Sequence, residues 1–218
     1  MNKIYNLLVI DFIMKQFRFY FLWLVSVCVI MFILQQIIPG FTELFVLNKN
    51  VWSGEIWRFI SSIFLHGGVG HLLYNMFALG LFGFILEKLI GGKKFLLVFF
   101  ASGIIANMIS VQFYSSSLGA SGAIMGIIGV LAIIKPMMMV WAFGVIMPMF
   151  IAAILWVIGD VIGIFIPDGV GNIAHLSGVG VGVVMGIFLR GKKIKKRKKI
   201  EIPEDYMRSW EDRFMKPK

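Results

Sequence analysis

The sequence predicts an all-α polytopic membrane protein of six transmembrane helices with both termini in the cytoplasm. Three observations carry that expectation. Of the 218 residues, 59% are hydrophobic and 15% charged, whereas a soluble globule is about 45 to 50% apolar; too little polar surface is present to coat a water-exposed fold. Apolar runs of roughly 20 residues, the length that crosses about 30 Å of hydrocarbon, recur along the chain. Finally, once those runs are threaded through a bilayer, every Lys and Arg except Lys49 and Arg58 falls on one side. The positive-inside rule makes that side, and both termini, cytoplasmic.

The elements follow in order. Residues 1–18 read as a short amphipathic lead-in, without the cleavage site of a signal peptide or the composition of a transit peptide. Candidate spans run over 19–38, 59–86, 95–113, 119–134, 137–158 and 171–189. They are separated by charged or helix-breaking punctuation such as Pro39-Gly40, Gly91-Gly92-Lys93-Lys94, Lys135-Pro136 and Pro167-Asp168-Gly169. The long first connection, 39–58, faces outward and is apolar enough to lie partly in the membrane interface. Residues 1–190 therefore form one helical core. Residues 191–218 form a basic cytoplasmic tail, read as a stop-transfer segment and an anchor for anionic lipid. The net charge of +10 resides mainly in that tail, which excludes nucleic acid as the better partner. No feature of the sequence sets an oligomeric state.

Polar residues inside the spans are costly and so point to function. At about 1.5 Å per helical residue, Ser121, His175, His71 and Asn75 all lie about 20 to 25 Å from the cytoplasmic charges Lys135, Arg190 and Lys88 that follow them. Four polar residues from three spans thus share one layer near the outer leaflet. Span 4, about 22 Å from Ala120 to Ile134, is too short for the hydrocarbon core. Its N-terminus should begin below the outer surface, with the Ser115–Ser117 loop dipping into a water-accessible cavity.

The residue types in that layer suggest chemistry. A serine hydroxyl needs a base, and neutral imidazole is suited to that task; Ser121 and His175 are the candidates. His71 and Asn75, four residues apart on one helix face, are placed to donate to an oxyanion, together with the unpaired backbone N–H of Ser121 at a helix N-terminus. Two small-residue stripes, Gly122/Gly126/Gly129 and Gly178/Gly182/Gly186, permit spans 4 and 6 to cross closely. By itself Gly-x-Ser-Gly is more often packing than catalysis; the shared depth favours catalysis. Cys28 reads as a plain apolar-environment residue. HGGVGH lacks the spacing and carboxylate of a zinc-protease helix, so no metal is expected, and no phosphate-cradling loop announces another cofactor.

The segments GEIWRFISSIFLHGGVGHLLYNMFALGLFG, GASGAIMG and AHLSGVGVG, in this order on spans 2, 4 and 6, resemble the signatures of the rhomboid intramembrane serine proteases. The resemblance covers about residues 20 to 190. It implies a six-helix rhomboid bundle with a membrane-associated first external loop, in the minimal form without a seventh span. It implies that Ser121 is the nucleophile and His175 its base. The same resemblance makes His71, Asn75 and the Ser121 N–H the oxyanion donors. His66 corresponds to an outer histidine that supports the cavity, and Glu55, Trp57 and Arg58 to the signature that organises the first loop. Gly119 and Gly122 flank the nucleophile, and Gly178 and Gly182 follow the base. Met125 departs from the pattern: many members carry an aromatic there to pack on the base, and a thioether should fill the space with activity retained.

Because the resemblance implies a dyad, neither Asp160 nor Asp168 is expected to complete a triad. The expected spans carry no acidic residue beside the histidines to relay protons or pair cations, which counts against a histidine-lined transporter. The implied activity is hydrolysis of a peptide bond in or near the transmembrane segment of membrane-protein substrates at the extracytoplasmic side of the cell membrane. Span 5, with the first loop, is the implied lateral gate. The alternative is a non-catalytic rhomboid-like protein that binds transmembrane segments, although such relatives typically lack the serine or the base histidine.

Overall fold

The computed structural model describes residues 19–166 and 169–191, with Glu204, Asp205, Arg208, Ser209 and Asp212 from the tail. The lead-in, Asp168 and the basic run after Gly191 lie outside the described residues. Among the described residues, four helices are long and apolar enough to cross a membrane, and two shorter apolar ones accompany them.

Helix α1 (Tyr20–Ile37) buries Phe21, Leu24, Cys28 and Phe32 on one stripe. Its opposite face exposes Trp23, Ile30 and Ile37, as a lipid-facing helix does. The start of α1 is held by a distant carboxylate. Glu87, 1% exposed, accepts the Tyr20 N–H at Oε1 and the Phe21 N–H at Oε2, both at 3.0 Å. Two orphan donors at the positive end of a helix are thereby satisfied inside the bundle.

The first connection folds as a short helix α2 (Phe41–Phe45), a two-residue strand β1 (Leu47–Asn48), a 3-10 turn (Lys49–Ser53) and helix α3 (Arg58–Ser61). Span 2 does not begin at residue 59 as expected. After α3 the chain makes a 3-10 turn (Ser62–Phe64), and α4 runs over Val69–Ile90 with a π-helical turn at Leu79–Gly83. The break falls at Gly67-Gly68, where Gly68 is extended (φ 172). His66, placed on span 2 by its sequence position, therefore stands in the turn ahead of the helix. Helix α5 (Gly92–Ser110) returns, strand β2 (Ser116–Ser117) follows, and α6 (Ser121–Ile134) opens at the candidate nucleophile.

Helix α6 is the centre of the fold. Every residue from Gly122 to Leu131 is buried, as befits a helix apolar all round, with α5 and α8 (Asn172–Gly191) packed against it and against each other.

Span 5 also differs from its expected 137–158. Residues 139–148 form an antiparallel hairpin, β3 (Met139–Ala142) with β4 (Val145–Pro148), in the register Met139↔Pro148 to Ala142↔Val145. The turn residues Phe143 and Gly144 both have positive φ (52° and 81°), as the two-residue type I′ turn requires. Val140 and Ala142 face inward while Met139 and Trp141 face out, the period-2 pattern of a half-buried strand. Helix α7 (Met149–Phe165) starts only after Pro148. Its first donors are satisfied by the preceding turn, Met149 N–H by Met138 O at 2.9 Å and Phe150 N–H by Pro136 O at 3.1 Å.

Candidate active site

Ser121 is the first residue of α6, and the loop that delivers it is tied down from several sides. β2 pairs with β1 of the first connection (Leu47↔Ser117, Asn48↔Ser116). Gly119 donates its N–H to the Ser62 carbonyl at 2.9 Å. The Asn107 amide on α5 donates to Ser62 Oγ and to the Phe59 carbonyl, each at 2.9 Å. Gly119 has φ 124°, a conformation that suits glycine, and a Cβ there would lie 2.8 Å from His71 Cε1. Ser121 thus sits at the end of a loop whose last turn is pressed against an imidazole.

His175 lies on the first turns of α8. The two glycine stripes do bring α6 and α8 to backbone contact. A Cβ on Gly178 or Gly182 would collide with the carbonyl group of Gly122 or Gly126, and one on Gly129 would come within 2.6 Å of the Val179 carbonyl oxygen. A Cβ on Gly122 would stand 3.6 Å from the Ala174 carbonyl oxygen. Ser121 and His175, each one residue along from this Gly122/Ala174 contact, flank the same seam. The loop ahead of Ser121 is also linked to α8 directly, since Tyr114 Oη accepts the Ile173 N–H at 3.1 Å.

His71 belongs to the same cluster. Its Nδ1 accepts the Gly67 N–H at 3.4 Å, which places the proton of a neutral ring on Nε2. That Nε2 would be 2.9 Å, and Ser121 Oγ 3.8 Å, from a Cβ built on Gly119, so a donor and the hydroxyl converge on one small volume. Asn75 is buried one turn along α4, and its Nδ2 donates to the His71 carbonyl at 2.9 Å. One of its two N–H bonds remains for another acceptor. His66 is 1% exposed and packs edge-on against the His71 ring, 5.1 Å between centroids. Its backbone is held by Gln35 of α1, which accepts the His66 N–H (3.0 Å) and donates to the His66 carbonyl (3.2 Å).

The first-loop signature also has a geometry. Arg58, 4% exposed, pairs with Glu55 and donates through Nη1 to the Glu43 and Val46 carbonyls at 2.6 and 2.8 Å. Trp57 donates to the Leu44 carbonyl at 3.2 Å. Two side chains, Arg58 and Trp57, thus satisfy three carbonyls of the turn around α2. Met125 is buried one turn into α6.

The expectation of no carboxylate beside the histidines is overturned. Asp160, on α7, places Oδ1 2.9 Å from His175 Nδ1, with the two side chains 9% and 15% exposed. The misplaced start of span 5 is the reason. A span ending at 158 leaves Asp160 beyond its end, whereas the helix Met149–Phe165 carries it within its length, one face of which packs on α8. Ser62, Asn107, Tyr114 and Gln35 also escaped the sequence reading; only their being polar residues among apolar neighbours marks them.

Comparison with known proteins supports the same segments. A family model described as the Rhomboid domain matches residues 53–192. The chain is 32% identical over 144 residues to RHOMBOID-like protein 6, mitochondrial, of Arabidopsis thaliana, covering 65% of this chain and 46% of that protein. It is 44% identical over 86 residues to the putative rhomboid protease YdcA of Bacillus subtilis (38% and 43%). With the rhomboid protease GluP of the same bacterium the figures are 37% over 116 residues (49% and 23%). The chain spans less than half the length of each of these relatives.

Proposed function

The chain belongs to the rhomboid family of membrane proteins, and from that premise we propose that it is an intramembrane serine endopeptidase acting on the transmembrane segments of other membrane proteins. The observation that carries the reading is the junction of three helices at Ser121: the glycine seam sets α8 beside it, and His71 Nε2 and the Ser121 hydroxyl both lie within 4 Å of a Cβ built on Gly119. In this reading Ser121 Oγ attacks the scissile carbonyl while His175 Nε2 takes its proton. The oxyanion is met by His71 Nε2–H, the second Asn75 N–H and the Ser121 backbone N–H, which at a helix N-terminus has no intrahelical acceptor. Collapse of the tetrahedral intermediate expels the amine, protonated by His175, and water then releases the acyl group by the reverse sequence.

All six apolar helices span the membrane in this proposal, with both termini cytoplasmic and Ser121 opening to the extracytoplasmic side. The chain then needs no cofactor, and its basic tail meets anionic lipid. Reconstitution of the full chain with a model transmembrane substrate and a fluorophosphonate probe tests the proposal. Wild type is expected to cleave and to be labelled, and Ser121→Ala to do neither. Cleavage and labelling that persist in Ser121→Ala would overturn it; a wild type that binds the substrate without cleaving it or taking the label is the signature of the non-catalytic alternative.

A further inference from the structure

The base of the proposed dyad has a partner that the family resemblance does not supply. Helix α7 is apolar along its length except for Asp160, and a carboxylate among such residues is retained only with a partner. Among the described residues that partner is His175: Asp160 Oδ1 lies 2.9 Å from its Nδ1, while Oδ2 is buried without a hydrogen bond. Among the described residues no other group bonds this carboxylate.

The backbone explains how the two meet. One turn further along α7, a Cβ on Gly163 would lie 2.8 Å from the Asn172 side-chain carbon Cγ. The antiparallel helices are therefore in contact at Gly163/Asn172. Stepping three residues back on α7 and three forward on α8 brings Asp160 opposite His175. Each step of three stays on the same helix face, so the pairing is set by helix packing and does not depend on a flexible loop.

We propose that Asp160 is a positioning residue for the His175 base, making this chain a Ser121–His175–Asp160 protease. The inference rests on the serine protease reading and adds a member to it. With Nδ1–H donating to Asp160 Oδ1, the tautomer of His175 is determined: Nε2 carries the lone pair and is the nitrogen able to take the Ser121 proton. The same bond fixes the ring plane, and the carboxylate opposes the positive charge that the imidazole acquires as the serine attacks. Such an anchor also fits the presence of Met125 where an aromatic ring would pack on the base; the hydrogen bond supplies orientation by other means.

The test compares Asp160→Asn, nearly isosteric, and Asp160→Ala with wild type, Ser121→Ala and His175→Ala, all as reconstituted full chain, together with their melting temperatures. Asp160→Asn is expected to lower kcat about 10²- to 10⁴-fold with KM within twofold, and to slow fluorophosphonate labelling in parallel. With nitrogen-15 histidine, wild type is expected to show a low-field Nδ1–H resonance that disappears in Asp160→Ala and in His175→Ala. A folded Asp160→Asn with kcat within twofold of wild type, while Ser121→Ala and His175→Ala are inactive, would overturn this inference and leave the protease reading standing. Loss of melting temperature with unchanged turnover per labelled site would overturn it equally, by reducing Asp160 to a helix-packing role. Full turnover in Ser121→Ala or His175→Ala would instead remove the protease reading beneath it.

Discussion

The two flanks of the candidate site are built from opposite materials. On the α6/α8 flank, glycines bring backbone against backbone, and no side chain separates Gly122 and Gly126 from Gly178 and Gly182. On the α4/α7 flank, the gap is filled by aromatic rings. Trp156 stacks edge-on with Phe82 at 5.7 Å and lies 4.9 Å from Phe143 at the hairpin tip, and Phe77 meets Trp141 at 5.5 Å. Several of these rings are about half exposed. A backbone contact has no rotamers to relax, whereas a ring contact is adjustable. The first flank suits holding Ser121 and His175 in register. The second suits a contact that can open, and its α7 side belongs to span 5, which the resemblance, together with the first loop, implies for the lateral gate.

The largest expected effect comes from the rigid flank. A valine at Gly182 has its Cβ against the Gly126 carbonyl group, and neither backbone can yield without separating α6 from α8. Overpacking of this kind costs about 1–3 kcal/mol or more, and the catalytic spacing goes with it. Gly182→Val is therefore expected to lose both cleavage and labelling and to melt well below wild type. Gly180, two residues away on the same helix, has open space around a built Cβ and provides the control; Gly180→Val should retain activity. Equal tolerance at the two positions would show that the seam does not hold the site together.

An intermediate effect is expected at the junction of the two flanks, on α4. In the proposed mechanism His71 presents a committed donor to the oxyanion, so His71→Ala should lower kcat by about 10²- to 10³-fold, the usual cost of one oxyanion donor. Asn75 already spends one N–H on its own helix, and Asn75→Ala should cost less. Single-turnover acylation by an activated ester separates the two. The reverse ranking would mean that Asn75, not His71, faces the oxyanion.

The same contrast governs how much the sequence could reveal. The glycine seam was legible because small residues four apart mean one helix face wherever the helix begins and ends. The shared depth of Ser121, His175, His71 and Asn75 was legible because helical rise is constant. The hairpin was not. Residues 137–158 are apolar throughout, and apolarity does not distinguish a span from a β-hairpin followed by a shorter span; only Pro148 and the Phe143-Gly144 turn hinted at the break. With span 5 drawn over 137–158, Asp160 falls beyond its end, and the approach to His175 stays hidden. Glu87 stands one residue past the expected end of span 2, and no local pattern indicates that a carboxylate will cap a helix 66 residues away in the chain. The pairing of Gln35 with His66 is hidden for the same reason, being a contact between elements.

The smallest expected effect has the opposite sign and tests the adjustable flank. Trp156 contacts Phe82 and Phe143, and its Nε1–H reaches Tyr74 Oη at 3.4 Å, so it links α7, α4 and the hairpin. An aromatic pair contributes about 0.5–1.5 kcal/mol. Where these contacts hold the flank closed, losing one shifts the balance toward opening by about two- to tenfold. Trp156→Ala is therefore expected to raise cleavage of a transmembrane substrate by a factor in that range. The small fluorophosphonate, arriving from water, does not pass between α4 and α7, and its labelling rate should stay near that of wild type. Phe143→Ala, at the hairpin tip, should act in the same direction more weakly, because it removes one ring contact of the three groups that meet Trp156. A parallel fall in cleavage and labelling in both variants would make the aromatic flank a structural brace like the glycine seam, and the difference between the two flanks would be one of materials without a difference in role.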